Sequence, residues 1–348
     1  MNDKDKRQLA RLRTLEFKEK EQKNKDDLQE IQQIVDSCVF HYTNAGTLVG
    51  MLKNASIENP SMTFWASHTS YMNDPKEKEY GIEKMWEILP EVENELSIPV
   101  GQRITELDRE DLDQFILERN IEENSLTNVY SISFSKSFDS LPMWNMYGQN
   151  GNGICLGFDL MKLNEFLISK NMEPLKGLTY GIGEEISNIQ KTNKELICWK
   201  EYIKYVYKTN RSFIEKHMDM NSKSQEYTNI NIALDNYIAL LAIVPGNVKI
   251  PAYKYENEYR LYCRELNHKV CFRDRNGLLV PYIEMKLPLD ALKLIEIGPT
   301  ADKNRQMMSV AKLLKEKVKD FKSLTELFPR MELTALPAPA EARLTPIA

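Results

Sequence analysis

Strand-like segments gather at the two ends of this chain and leave a long helical stretch between them, and that order decides the fold class before any single motif does. Val129 to Ser135 alternates apolar and polar residues and is the clearest strand signal of the first half. Cys38 to Tyr42 and Met62 to Ala66 read as strands before it, and Ile154 to Phe158 after it. Near the other end, Val270 to Arg273 and Leu278 to Met285 are joined through Asn276-Gly277, a two-residue hairpin signal, and Lys293 to Ile297 closes the set. In between, the spacing around Trp199, Tyr202, Val206 and Phe213, and again from Ile232 to Ile243, predicts two helices that stop at Pro245-Gly246. A doubly wound sheet needs strand and helix to alternate along the chain. This order does not, so the expected class is α+β.

The chain has 348 residues, enough for one large domain or two small ones. Residues 1 to 36 read as a charged helical arm with a thin apolar stripe, suited to self-association or to a protein partner. A single α+β domain is expected over 37–325, with helical insertions at about 91–125 and 165–245, followed by a flexible tail over 326–348 that is rich in Pro and Ala. No apolar run is long enough to span a bilayer, and Met1 to Arg13 lack the apolar block of a secretory signal. The expectation is therefore a cytoplasmic protein without a membrane partner. Five scattered cysteines, never in a Cys-x-x-Cys pair, argue for reduced thiols and against a metal site. A net charge of −5 gives no global pull on nucleic acid.

Several motifs fail on context. Gly148, Gly151 and Gly153 precede a strand rather than a helix, so they read as a tight entry into that strand and not as a phosphate loop. No Gly-x-Ser-x-Gly elbow exists for a nucleophilic serine. Of the four histidines, His41 stands apart because it lies within a strand, between Phe40 and Tyr42. Trp144 and Tyr147 sit in what reads as a loop after Pro142, where a wall for a flat ring is an alternative to plain core packing. Tyr253 to Tyr262 alternates aromatic and charged residues. As a strand it would send Glu256, Glu258 and Arg260 to one face, either as chemistry at a pocket wall or as a solvated row.

Taken in order, these pieces resemble a bacterial domain-of-unknown-function family, the one numbered 2971, from about 38 to 300. The likeness rests on His41 to Thr43, on Asn73, Asp74 and Pro75 with Glu77 just after, on Ser131 to Ser135 leading to Pro142, Met143, Trp144 and Tyr147, on Gly153 to Phe158, and on Tyr255 to Leu261. That family in turn looks like the ADP-ribosyltransferase fold, in particular the toxins that modify DNA bases. The resemblance implies a split, mixed or antiparallel sheet with helical insertions, and a site for NAD as substrate without a metal. It also implies roles. His41 would hold a ribose hydroxyl, with Tyr42 and Asn73 in the same binding set. Ser133, Ser135, Trp144 and Tyr147 would line the nicotinamide pocket. Glu258 would be the essential carboxylate, Glu256 would orient or deprotonate the acceptor, and Arg260 would pair with Glu258 or reach a phosphate. In this picture His41 and the two acids share one cleft.

The expected function is then an NAD-consuming enzyme, a toxin or anti-phage effector that transfers ADP-ribose to a nucleic acid or protein acceptor or hydrolyses NAD. A catalytically silent sensor or interaction module of the same fold is one alternative. The other is a nuclease, whose candidate carboxylates are Asp74, Glu77, Glu256 and Glu258.

Overall fold

The computed structural model describes residues 29, 32–56, 59–72, 74, 76–118, 128–180, 199–217, 225–243, 245–264, 268–299, 302–317 and 332–334. Of the N-terminal arm, only residues 29 and 32–36 fall in this set, as helix. The described chain forms two compact units: one from Met1–Met62, Lys136–Phe166 and Leu287–Ala348, the other from Thr63–Ser135 and Leu167–Lys286.

In the first unit, β1 (Cys38–Thr43) pairs antiparallel with β4 (Ile154–Asp159), which pairs antiparallel with β11 (Leu292–Ile297). β12 (Glu332–Thr334) adds a parallel edge to β11, so part of the segment expected to be flexible is strand. β4 and β11 are buried on both faces, which explains why they read as near-continuous apolar runs. The helices are α1 (Ala45–Met51), α4 (Leu141–Met146), α5 (Leu160–Ser169) and α8 (Lys303–Lys317). Asn44 caps α1 by accepting from the Thr47 amide at 2.9 Å. Between α4 and β4 the chain turns back on itself. A Cβ at Gly153 would run into the Thr43 carbonyl, and one at Gly298 into the Gly151 carbonyl, so the glycine loop serves a close backbone crossing.

The second unit contains the antiparallel pair of β3 (Val129–Ser135) and β8 (Glu258–Arg264), matched from Val129↔Arg264 to Ser135↔Glu258. β5 (Lys176–Gly177) lines the other side of β8. From β3 the sheet continues through β2 (Ser61–His68) and β10 (Leu278–Pro288) to β9 (Val270–Arg275). Asn276 and Gly277, with φ of 54° and 83°, form the tight turn of the β9–β10 hairpin as the sequence predicts. A separate parallel pair joins β6 (Thr179–Tyr180) to β7 (Val248–Lys249).

The helices of this unit are α2 (Glu77–Glu95), α3 (Arg109–Glu118), α6 (Trp199–His217) and α7 (Gln225–Ile243). Met85, Leu89 and Val92 of α2 close against Ile203, Val206 and Tyr207 of α6 and Tyr237 and Leu240 of α7. The described helices of the expected insertions are thus part of the core. Glu93 is wholly buried at the end of α2, where its carboxylate accepts from the Ile104 amide and the Tyr207 hydroxyl, each at 2.7 Å. Those bonds meet the cost of burying a carboxylate that no cation is seen to balance among the described residues. The architecture is α+β, and no described helix is long and apolar enough to cross a membrane.

Candidate functional site

Residues 253 to 262 do not form one strand. Pro251–Glu256 is a 3-10 helix, Asn257 takes the left-handed conformation at φ 42°, and β8 begins only at Glu258. Pro251 presets the first turn, and Asn tolerates the left-handed step that redirects the chain. Glu256 and Glu258 are therefore not alternate positions of a strand. Their carboxylates converge all the same, because both meet Lys249.

The β3–β8 register sets Ser133 opposite Arg260 and Ser135 opposite Glu258. Glu258, Arg260 and Tyr262 leave the same side of β8, and Glu77 reaches that side from the first turn of α2. Arg260, only 1% exposed, is the hub. Its Nε donates to Glu258 Oε1 at 2.7 Å and its Nη2 to Glu258 Oε2 at 3.0 Å. Nη2 also donates to Glu77 Oε2 at 2.9 Å, and Nη1 bonds Glu77 Oε1 and the Gly246 carbonyl. Lys249, on β7, donates to Glu258 Oε2 at 3.1 Å and bonds Glu256 Oε2 closely, with its Nζ 4.9 Å from the Tyr253 ring centre. Ser135 Oγ donates to the Glu256 carbonyl at 2.5 Å, and the Tyr180 hydroxyl accepts from the Glu258 amide at 2.8 Å.

Three buried carboxylates thus face two buried cations, leaving one net negative charge in a low-dielectric interior. Burial alone pushes the Glu258 carboxyl up. The Arg260 and Lys249 charges, with the hydrogen bonds from Arg260, outweigh that and hold it down to about 2. Burial would pull the Lys249 ammonium down, but Glu258 and Glu256 raise it further than burial lowers it. Glu258, Lys249 and Arg260 are therefore charged at neutral pH, with a bidentate Arg–carboxylate geometry that fixes each oxygen of Glu258. The convergence of Glu77, Glu256 and Glu258 that a nuclease would need is present, yet Lys249 and Arg260 stand among them. Among the described residues, no group of three or more His, Cys, Asp or Glu could hold a metal ion.

Most of the other sequence candidates belong to the first unit. Asn73 is outside the described residues. In the first unit, His41 is partly exposed on β1 opposite Leu156, and its neighbour Tyr42 points to the other face of the strand. Tyr42 is buried, donates to the Ser137 carbonyl at 2.8 Å and accepts from the Ser140 amide at 3.2 Å. The segment expected as a loop is the short helix α4, with Pro142 in its first turn. Trp144 is 0% exposed there, edge-on to Tyr42 with ring centres 4.9 Å apart, and its Nε1 donates to Asp139 Oδ1 at 2.8 Å. It is a core residue with no open face for a ring to stack on. Tyr147 is partly exposed.

The sequence does not single out Lys249 or Tyr180, and it places Glu77 in a motif and among the candidate carboxylates of a nuclease. One signal was available for Lys249, which is the only charged residue between Asp235 and Lys254. A lone charge in so apolar a stretch calls for a buried partner.

The model of the family described as "Protein of unknown function (DUF2971)" matches residues 143–261, which supports the assignment of the chain to that family. The matched segment holds Lys249, Glu256, Glu258 and Arg260, together with Trp144 and Tyr147. No curated protein and no solved structure matches the chain.

Proposed function

Starting from that family assignment, we propose that the chain is an NAD-consuming enzyme of ADP-ribosyltransferase type, acting as a toxin or defence effector on a nucleic acid or protein acceptor, or on water. In this reaction the bond between the ribose and nicotinamide breaks with its electron pair leaving on the nicotinamide. The cation that develops on the ribose is then captured by the acceptor. What supports the reading is the state of Glu258: an ionised carboxylate at the start of β8, aligned by Arg260 and Lys249 in a low-dielectric setting. A preorganised negative charge of this kind stabilises a developing oxocarbenium ion without reorganising during the reaction. Glu256, held by the same Lys249, would be the second acid of the pair and the group nearest the acceptor.

A specific observation favours a second reading, the catalytically silent module. Both oxygens of Glu258 are engaged by Arg260 and Lys249, and the residue is 5% exposed. One experiment separates the two. The full chain is incubated with NAD labelled in the nicotinamide and in the adenylate, with and without cell lysate, beside a folded Glu258→Gln variant. The enzyme reading expects released nicotinamide that the variant loses by a factor of about a hundred or more. Label on a macromolecule identifies a transferase, and free ADP-ribose a hydrolase. No nicotinamide released under any condition ends the enzyme reading in favour of the silent one, and a variant as active as the parent removes Glu258 from the chemistry.

A further inference from the structure

The β2–β10–β9 end of the second unit's sheet carries a second arrangement of charge, in which Arg273 meets no carboxylate among the described residues. Trp65 of β2 is 47% exposed although its ring lies 4.6 Å from that of Tyr282 on β10, at 31° to it. The guanidinium carbon of Arg273, on β9, sits 5.6 Å from the same Trp65 ring. Arg273 is half-buried and its Nη2 donates to the neutral Ser67 hydroxyl at 2.7 Å, while its Nε is buried and has no acceptor among the described residues. No carboxylate pairs with Arg273 among the described residues: Asp274 leaves the opposite face of β9 and bonds the Gly277 amide at 3.1 Å. Arg275, two residues on, brings a second guanidinium to the same face, with its Nη2 donating to the Tyr71 carbonyl at 2.9 Å. Burial first, and then the Arg275 charge, pull the Arg273 pKa down, so the arrangement is costly as it stands.

A half-buried cation without a counterion, next to a flat aromatic ring that is half open to solvent, has two vacant capacities. One is for an anion, which a planar guanidinium takes best as phosphate or carboxylate. The other is for a planar ring, since an exposed indole face is a stacking platform. We propose that the face formed by Trp65, Arg273 and Tyr282 binds a nucleoside monophosphate, with its base against Trp65 and its phosphate at Arg273. A free mononucleotide suits this face better than a nucleic-acid strand. Strand-binding surfaces repeat aromatic rings along a basic track, whereas here one exposed ring stands with two arginines, Glu284 follows Tyr282 on the same face, and the chain as a whole carries a charge of −5. The inference does not rest on the NAD reading, and its test contains no NAD.

The full chain is titrated with adenosine monophosphate by calorimetry, beside adenosine, ribose 5-phosphate and a single-stranded oligothymidylate. Saturable binding of the nucleotide is expected, about tenfold tighter than either fragment, because each fragment loses one of the two contacts. Arg273→Gln should weaken the nucleotide about tenfold and leave adenosine unchanged, while Trp65→Ala should weaken the nucleotide and adenosine alike. Glu284→Gln, an exposed change that leaves the packing intact, should tighten the nucleotide about twofold and tests the site even where Arg273→Gln fails to fold. The proposal is overturned by a lack of binding at millimolar nucleotide, by a fragment that binds as tightly as the nucleotide, or by affinity indifferent to Glu284→Gln. An oligonucleotide that binds tenfold or more above the mononucleotide also overturns it, in favour of a strand-binding surface.

Discussion

The surroundings of Tyr42 in the first unit and of Arg260 in the second are both closed to water, yet they satisfy their polar groups by opposite means. Around Tyr42 the partners are neutral donors and acceptors: the Ser137 carbonyl, the Ser140 amide and the Trp144 ring edge, with the Asp139 carboxylate bonded to Trp144. Around Arg260 they are formal charges, Glu77 and Glu258, with Lys249 and Glu256 beside them. A neutral network loses one modest bond when a partner is removed. A charged one leaves behind an ion with no solvent, so its members stand or fall together. Buried ionic sets seldom add net stability over a well-packed apolar core. The one around Arg260 is therefore better explained by what it positions than by what it stabilises.

The largest contrast should come from Arg260→Met, which strands two carboxylates and should cost about 4 kcal/mol in urea unfolding. A loss below about 1 kcal/mol would mean that water reaches the cluster. Acid is the next lever. The Glu258 carboxyl is held below its ordinary value, so its contribution is complete above pH 4.5 and is lost as pH falls through about 2, a loss of order 3 kcal/mol. Asp139 works in the other sense: burial raises its pKa despite the Trp144 bond, so its share is present below its unfolded value near 3.8 and is lost as pH rises through the raised value. Amide exchange at pH 6 and pH 3 should therefore show protection falling along β8 while the Trp144 helix holds. Equal loss in both would erase the distinction. Trp144→Phe removes the bond to Asp139 and part of a filled core site and should cost about 2 kcal/mol by thermal unfolding. Tyr42→Phe, which removes one neutral hydroxyl, should cost about 1 kcal/mol and leave the acid response unchanged.

What the sequence disclosed follows the range of the forces involved. β1, β3 and the Asn276-Gly277 hairpin were legible because period-two alternation and a left-handed turn pair are local signals. The 3-10 turn of Pro251–Glu256 was not, since alternating aromatic and charged residues match a strand as well as they match so short a helix. α4 has six residues, too few for helical periodicity to stand out, so the sequence suggests a loop where Trp144 lies in the core on a short helix. Glu256, Glu258 and Arg260 were found together, being close in sequence. Glu77 is 183 residues from Arg260, and no local pattern announces that the two will meet.

That separation has a consequence for how the second unit is built. β8 can slide against β3, but a slip by one residue would turn Glu258 and Arg260 outward and bring Tyr259 and Leu261 to the place of the charges. Only the correct alignment lets the guanidinium find its acids, and only after α2 has arrived from far upstream. The ionic set thus acts as a proofreading latch on assembly: it does little to hasten the meeting of distant strands, and it discriminates sharply against the wrong one.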